Sequence, residues 1–230
     1  FACKNKLNLK IPKKKVLHLV EDLNIGGLEK VVASIATGLN KNKYDIQVWC
    51  LTKGGEIADE LISKNISLKV LGLNNYHNPL QIILLAKYLK NYKIDIIHSH
   101  GYFANTFGRL ASILAGVPVK IVHVHTTDYI FKFKNILVER LLSLFTKKII
   151  CVSNSVKDFV EKTLGIANKK VCLVYNGCSM SNEGKSEYQF DRFSFGLEQD
   201  DFVMIVVAAL TPHKGHRVLI DATKDLVQKF

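Results

Sequence analysis

Short apolar runs alternate with amphipathic segments along most of this chain. Apolar residues spaced i, i+3 and i+4 form one stripe along Leu28–Leu39, which is typical of a helix packed on a core. The apolar runs are short and rich in Val, Ile and Leu, as in strands buried on both faces. The predicted strands are Val16–Val20, Tyr44–Leu51, Leu68–Leu71, Ile94–Ser99, Val119–His125, Lys148–Val152 and Val171–Tyr175.

The segments between these strands predict helices. Asn78 and Pro79 are typical of a helix start, with a capping side chain followed by a proline in the first turn. Ser155 and Asp158 predict a capping box for another helix. The predicted helices are Leu28–Leu39, Ile57–Ser63, Asn78–Tyr92, Asn105–Ala115, Ile136–Phe145 and Ser155–Leu164.

This alternation predicts an α/β fold with a Rossmann-like, largely parallel sheet and helices on both faces. In such sheets ligands bind at the carboxyl ends of the strands. We therefore expect the functional residues in the segments where the strands end.

The alternation stops near residue 178. A further buried strand is predicted at Phe202–Leu210 and a helix at Gly215–Phe230. One strand and one helix cannot bury a core of their own, so we expect the start of a truncated second domain. The predicted organisation is a basic N-terminal segment, 1–14; a Rossmann-like domain, 15–178; a linker, 179–200; and the truncated domain, 201–230.

Composition narrows the choice of partners. The formal net charge of +12 favours phosphorylated ligands, anionic lipid or nucleic acid, although it is also typical of a merely lysine-rich surface. The aromatic residues lie mostly in core runs rather than on a stacking platform, so we predict no nucleic acid partner. No apolar run approaches the roughly 20 residues of a membrane span. Five scattered cysteines indicate a reducing cytoplasm.

Paired histidines close two of the predicted strands. His98 and His100 share one face of their strand by alternation, and so do His123 and His125. Four imidazoles could hold zinc, but catalytic zinc normally has carboxylate support, and only Asp128 is near. We predict no metal.

Three other segments are candidates for binding an anion or for ordinary turns. Gly26 and Gly27 open a helix after the first strand, where backbone N–H groups can face an anion. Asn176-Gly177 follows the last strand of the first domain. Lys214 lies in a strand-to-helix connection, where it can pair with a phosphate.

Six motifs together resemble the retaining glycosyltransferases of family 4, which have the GT-B fold. They are IGGLEK, IIHSHG, HVHTTD, CVSNSVKDF, VYNG and LTPHKGHRVLIDA, in register from about Lys15 to Phe230. Enzymes of this kind build bacterial surface polysaccharides, lipopolysaccharide and glycolipids. The resemblance implies transfer of a hexose from a nucleotide sugar to a glycan or lipid-linked acceptor with retention, and without a cofactor or metal.

The resemblance also assigns roles to residues. His125 is similar to the family histidine that contacts the transferred sugar, and Lys214 to the lysine that neutralises the donor diphosphate. Gly26 and Gly27 resemble the loop near the donor phosphates and acceptor, and Asn176-Gly177 a turn near the interdomain cleft. The acceptor-side candidates are His100, Glu29 and Asp128.

Two departures from the family pattern stand out. Ala208-Ala209-Leu210 replaces the usual G-R-L step, so one phosphate-binding arginine is missing, and no glutamate follows Glu198 to supply the family's paired glutamates. We therefore expect the chain alone to be catalytically incomplete.

Phe131–Lys134 alternates aromatic and basic residues and is either a contact with an anionic membrane or an ordinary loop. We predict a cytoplasmic protein, which is peripheral to the membrane if this segment is a membrane contact.

Two alternatives remain open. One is a nucleotide-sugar 2-epimerase of the same fold, which usually presents acidic residues near the cleft and whose motifs match this sequence less well. The other is a non-catalytic module that binds anionic partners through a basic surface. A reading frame that continues into an acidic E-x7-E segment favours the transferase, whereas a stop after Phe230 favours the binding module.

Overall fold

The computed structural model describes residues 12–76, 78–127, 133–177 and 191–227. The chain divides between residues 178 and 179 into two compact units. The first unit contains the sheet that was predicted, and the second contributes one longer helix; each is described by itself.

The first unit is built on a seven-stranded sheet in the order β3-β2-β1-β4-β5-β6-β7. Every neighbouring pair is parallel, so all the strands end at the same edge of the sheet. We call this the carboxyl edge. The strands are β1 (Lys14–Val20), β2 (Tyr44–Cys50), β3 (Ser67–Val70), β4 (Ile96–His100), β5 (Val119–Val124), β6 (Lys148–Cys151) and β7 (Val171–Leu173).

Helices follow the strands and cover both faces of the sheet. Leu19 packs in a core with α3 and α4, whereas its neighbour Val20 packs in a core with α1 and α2. Since successive strand residues point to opposite faces, these two cores lie on opposite sides, and the predicted α/β fold is confirmed. The helices are α1 (Gly27–Gly38), α2 (Glu56–Ser63), α3 (Pro79–Asn91), α4 (Tyr102–Leu114), α5 (Phe133–Ser143), α6 (Asn154–Asp158) and, in the second unit, α7 (His216–Val227).

None of the helices within the described ranges is long and apolar enough to cross a membrane.

The strand predicted at Phe202–Leu210 is wrong. These residues form no regular element, and Phe202 and Val207 are 87% and 93% exposed. An apolar run becomes a buried strand only when neighbouring strands satisfy its backbone groups. The described residues of the second unit contain no strand that could pair with it.

The cap predicted for α6 is also wrong by two residues. The Ser153 hydroxyl, not that of Ser155, accepts the hydrogen bond from the Val156 N–H, at 3.3 Å. The Asp158 carboxylate instead pairs with the Lys162 ammonium one turn later, at 2.9 Å. The helical turn continues beyond α6 as a short π-helix, Phe159–Thr163.

A buried ion pair joins α4 to α5. The guanidinium of Arg109 and the carboxylate of Glu139 are 2.5 Å apart, and the two side chains are only 1% and 6% exposed. The Arg109 Nε also donates to the backbone oxygen of Asn105, whose side chain donates to the backbone oxygen of His123 in β5. The pair thus stabilises the helices that support the end of β5.

Replacing Glu139 by alanine should lower the free energy of unfolding by about 3–5 kcal/mol, because it leaves a buried guanidinium without its counter-charge. Urea unfolding of the purified chain measures this change. Glu60→Ala is the matched control, since Glu60 pairs with Lys64 at the surface and its side chain is 45% exposed. The control should cost less than about 1 kcal/mol; equal losses in the two variants would contradict this account.

Candidate active site

Five imidazoles form one cluster near the carboxyl edge. Parallel pairing sets His18 of β1 beside His98 of β4, and His100 of β4 beside His123 of β5. Alternation then puts all of these side chains, with His125, on one face of the sheet. We call these five residues the imidazole cluster.

His18 was not among the predicted site residues. Its position in the middle of an apolar strand run is that of an ordinary core residue. Its neighbour on the sheet lies 80 residues away in the chain, and only the strand order brings the two together. The four other histidines of the cluster were recognised from their alternation at strand ends.

His100 lies at the centre of the cluster. Its Nε2 is 3.1 Å from the Nδ1 of His18, and its Nδ1 is 3.4 Å from the Nε2 of His125. The rings of His98 and His123 lie beside it, tilted by 36° and 38°, with their centroids 4.2 and 5.2 Å from that of His100. His18 and His100 are fully enclosed, whereas His125 is partly exposed. His125 is therefore the most exposed member of the cluster.

Burial keeps the imidazoles neutral. Desolvation lowers the pKa of His18 to about 4, with a further contribution from His123. Desolvation also lowers the pKa of His123 to about 4. The pKa of His125 falls to about 3, mainly through desolvation and further through the neighbouring His123. The pKa values of His98 and His100 are also well below the ordinary value, again mainly through desolvation. At neutral pH each ring therefore carries one proton and one free lone pair.

The glycine turn lies at the same edge. Gly26 caps α1 in an extended conformation, and its carbonyl accepts the first helical hydrogen bond from Lys30. Gly101, at the end of β4, has a φ of 81°, and a Cβ there would come within 3.3 Å of Leu28. This close approach joins the start of α1 to the end of β4, where His100 lies.

A carboxylate occupies the space beside this turn. A Cβ on Gly26 would overlap the carboxylate of Glu29. Burial raises the pKa of Glu29, as do the negative charges of Asp22 and Glu21. This environment suits a hydroxyl-bearing ligand, since a phosphate would meet a like charge. A donor-phosphate role for Gly26 and Gly27 stays a prediction.

Asn176-Gly177 lies beside the imidazole cluster. The segment 174–177 and the side of α1 at Val31, Ser34 and Ile35 line a cavity of about 200 Å³ together with His123. The structure thus brings the turn after β7, the first helix and the cluster to one concave surface.

Two predicted site residues are not in the described part of the first unit. Lys214 ends a short 3₁₀ turn in the second unit, where its side chain is exposed. Asp128 lies outside the described residues, as do Phe131 and Lys132 of the predicted membrane segment; Lys134 is exposed at the start of α5.

Comparison with known proteins identifies the family. The model of glycosyltransferase family 4 matches residues 25–181, more than half of the chain. The chain belongs to this family. The match covers the glycine turn and four of the five residues of the imidazole cluster, but not His18 or Lys214.

Curated relatives of this family 4 chain are similar over nearly all of its length. It is 29% identical to the capsular polysaccharide biosynthesis glycosyltransferase CapH of Staphylococcus aureus, over 94% of this chain and 59% of that protein. It is 27% identical to a UDP-Gal:alpha-D-GlcNAc-diphosphoundecaprenol alpha-1,3-galactosyltransferase of Escherichia coli, over 93% of this chain and 58% of that protein. The chain thus spans just under three fifths of these relatives.

Solved structures confirm the fold. HepE of Anabaena, solved with UDP and glucose, superposes with a TM-score of 0.72 at 23% identity, over 91% of this chain and 57% of that one. A glycosyltransferase from Rickettsia africae gives a TM-score of 0.71 at 21% identity, over 94% and 58% of the two chains. The family 4 chain therefore has the GT-B type of α/β domain.

The buried imidazoles predict a steep loss of stability in acid. Since their pKa values in the folded state lie below the ordinary value of 6.5, the unfolded chain takes up protons that the folded chain does not. The free energy of unfolding should be greatest above pH 6.5 and should fall as the pH drops towards 4. Each such proton contributes a slope of up to about 1.4 kcal/mol per pH unit.

Urea unfolding at a series of pH values measures this slope. His18→Gln should reduce the slope by up to about 1.4 kcal/mol per pH unit, the contribution of one proton. His216→Gln leaves the cluster intact and should keep the steep decline. A stability that is constant between pH 6.5 and 4 in the unmodified chain would contradict the neutral cluster.

Proposed function

We propose that this chain is the acceptor-side part of a glycosyltransferase. The enzyme would move a hexose from a nucleotide sugar to a glycan or lipid-linked acceptor, with retention of configuration, in the synthesis of a bacterial surface polysaccharide. The observation that carries this proposal is the partly exposed, neutral His125 at the carboxyl edge of a family 4 domain. The Escherichia coli relative, whose name specifies a UDP-sugar and a diphosphoundecaprenol acceptor, supports the two substrate classes.

His125 would act on the sugar as a neutral hydrogen-bonding group. Its low pKa means that it holds one N–H donor and one acceptor rather than a positive charge. Such a ring can orient a sugar hydroxyl without attracting the donor diphosphate into the wrong position. His100 contacts the Nε2 of His125 and would fix the orientation of the ring.

Lys214 would stabilise the leaving group. The departing nucleoside diphosphate gains negative charge in the transition state, so a fixed ammonium stabilises the transition state more than the ground state. With this cation we propose a transfer that needs no divalent metal.

The acceptor would bind beside the glycine turn. Glu29 and Glu21 are carboxylates at the carboxyl edge, and the Glu21 carboxylate already accepts a hydrogen bond from the Tyr76 hydroxyl at 3.1 Å. Carboxylates accept hydrogen bonds from sugar hydroxyls and repel phosphate, so they favour the acceptor glycan over the donor diphosphate at this position. The cavity beside Asn176-Gly177 would hold a further part of the sugar substrates.

The test is a transfer assay on the protein expressed from its complete reading frame, with a panel of nucleotide sugars and a lipid-linked acceptor. His125→Ala and Lys214→Ala should each lower kcat by about 10²- to 10³-fold, the usual cost of removing a group that stabilises the transition state. Lys224→Ala is the control, because Lys224 is an exposed lysine of α7 that pairs with Asp221. Product NMR should show the anomeric configuration of the donor.

Full activity in both variants would contradict the proposed roles. Formation of a 2-epimer of the donor in the absence of acceptor would support the epimerase instead. Absence of any turnover across the panel would favour the non-catalytic binding module.

We propose further that the exposed apolar side of α5 contacts an anionic membrane. Leu137, Leu141, Leu144 and Phe145 are each at least half exposed and follow one another along the helix and the turn after it. Lysines lie next to this surface: Leu144 and Phe145 line one surface depression with Lys147, Lys148 and Lys169. Apolar side chains beside basic ones match the interface of an anionic bilayer, where lipid-linked acceptors reside.

Co-sedimentation with vesicles of phosphatidylcholine and phosphatidylglycerol tests this contact. The double variant Leu141→Ser, Phe145→Ser should bind several-fold more weakly than the unmodified protein, and binding should fall as salt rises. Leu114→Ser is the control, since Leu114 is 64% exposed on α4. Equal binding by all three proteins, or no binding at all, would refute the contact.

A further inference from the structure

The proposed transfer needs one imidazole, but the structure holds five together. Four of them, His18, His98, His100 and His123, are more than nine-tenths buried. Within the described ranges, Nε2 of His18, Nε2 of His98 and both nitrogens of His123 have no hydrogen-bond partner. Burying a polar nitrogen without a partner costs stability, so the two unpartnered nitrogens of His123 suggest a ligand beside that ring.

We propose that the imidazole cluster binds a divalent ion of the zinc type through His100, His123 and His125, with a fourth position open on the exposed side of His125. One ligand nitrogen from each of these residues lies within 4.8 Å of the other two. Three histidines and one open position form a known arrangement for a zinc site.

The spacing of the nitrogens fits such an ion. The Nδ1 of His100 and the Nε2 of His125 are 3.4 Å apart. Two nitrogens bound to one tetrahedral zinc at the usual bond length are separated by about 3.3 Å. His123 can join them because neither of its nitrogens is engaged in a hydrogen bond with another described residue.

The tautomers required for binding are available. The ion needs lone pairs on the Nδ1 of His100 and the Nε2 of His125, so the proton of His100 must sit on its Nε2. That nitrogen lies 3.1 Å from the Nδ1 of His18, which can accept the hydrogen bond. His18 would thus be a supporting residue that orients His100 from outside the ligand set, as the partners of metal-bound histidines commonly do.

The ligand set selects the kind of ion. Neutral imidazoles suit zinc, copper, nickel and cobalt, whereas magnesium and calcium prefer oxygen ligands. The three proposed ligands are all imidazoles, so the bound ion keeps its positive charge. Hydroxide or another small anion would fill the open position.

An ion in this site would inhibit the transfer, because the ion and its fourth ligand would occupy the exposed side of His125, where the sugar is proposed to bind. This consequence rests on the proposed function, but the binding itself does not. Zinc should therefore inhibit and a chelator should restore the activity, in contrast to a metal that the chemistry requires.

Titration of the metal-free protein with Co²⁺ tests the site directly. The unmodified protein should bind one ion and develop the visible absorption of four-coordinate cobalt, which Zn²⁺ displaces and Mg²⁺ does not. His123→Ala and His125→Ala should each abolish this spectrum, and His18→Ala should weaken binding by about 10- to 100-fold. His216→Ala is the matched control, because His216 lies in α7, outside the cluster, and should bind as the unmodified protein does.

His125→Ala keeps the test decisive if the buried His123→Ala variant fails to fold, since His125 is partly exposed after the end of β5. An absent cobalt spectrum in the unmodified protein, or a spectrum that survives in folded His125→Ala, would overturn the proposal. Cobalt binding without any sugar transfer by the metal-free protein would uphold the ion site and refute the proposed function.

Discussion

The parallel register of β1, β4 and β5 is the constraint on which the rest of the structure depends. It sets His18 beside His98 and His100 beside His123, and alternation then directs all of these rings to one face. Shifting any of the three strands by one residue would turn its imidazoles into the opposite core. The register therefore determines both the hydrophobic cores and the chemistry of the carboxyl edge.

Burial of the rings has one chemical consequence for both proposals. A desolvated imidazole stays neutral, and a neutral imidazole can orient a sugar hydroxyl or bind a transition-metal ion, but cannot act as a fixed cation. The positive charge needed by a diphosphate leaving group must then come from elsewhere, which is the role proposed for Lys214. The Arg109–Glu139 pair stabilises the end of β5 from the opposite face of the sheet. It does so through the hydrogen bond from the Asn105 side chain to the backbone oxygen of His123.

Local sequence patterns were sufficient to predict most of the strands and helices of the first unit. The strand predicted at Tyr44–Leu51 differs from the observed one by a single residue, and the helix predicted after Asn78 begins at Pro79 with the predicted Asn cap. These features depend on periodicity and on caps, which are local. The pairing of His98 with His100 and of His123 with His125 on one face followed from the alternation of strand residues alone.

Features that depend on distant neighbours could not be predicted in this way. His18 belongs to the cluster only because β1 lies next to β4, and the run Phe202–Leu210 forms no strand because no partner strand lies beside it among the described residues. The prediction of the α6 cap failed for a different reason, since two serines with similar capping ability lie two residues apart. The role of the glycine turn was interpreted without the Glu29 carboxylate that folds over Gly26, a contact that the motif itself does not reveal.

The central claim is that the carboxyl edge beside His125 is where the sugar is bound. A crystal structure of the protein with a non-hydrolysable nucleotide sugar tests it most directly. The account predicts the hexose in contact with His125, next to the cavity that His123 and Asn176 line. A hexose bound at the edge where the strands begin, or away from the sheet altogether, would contradict it.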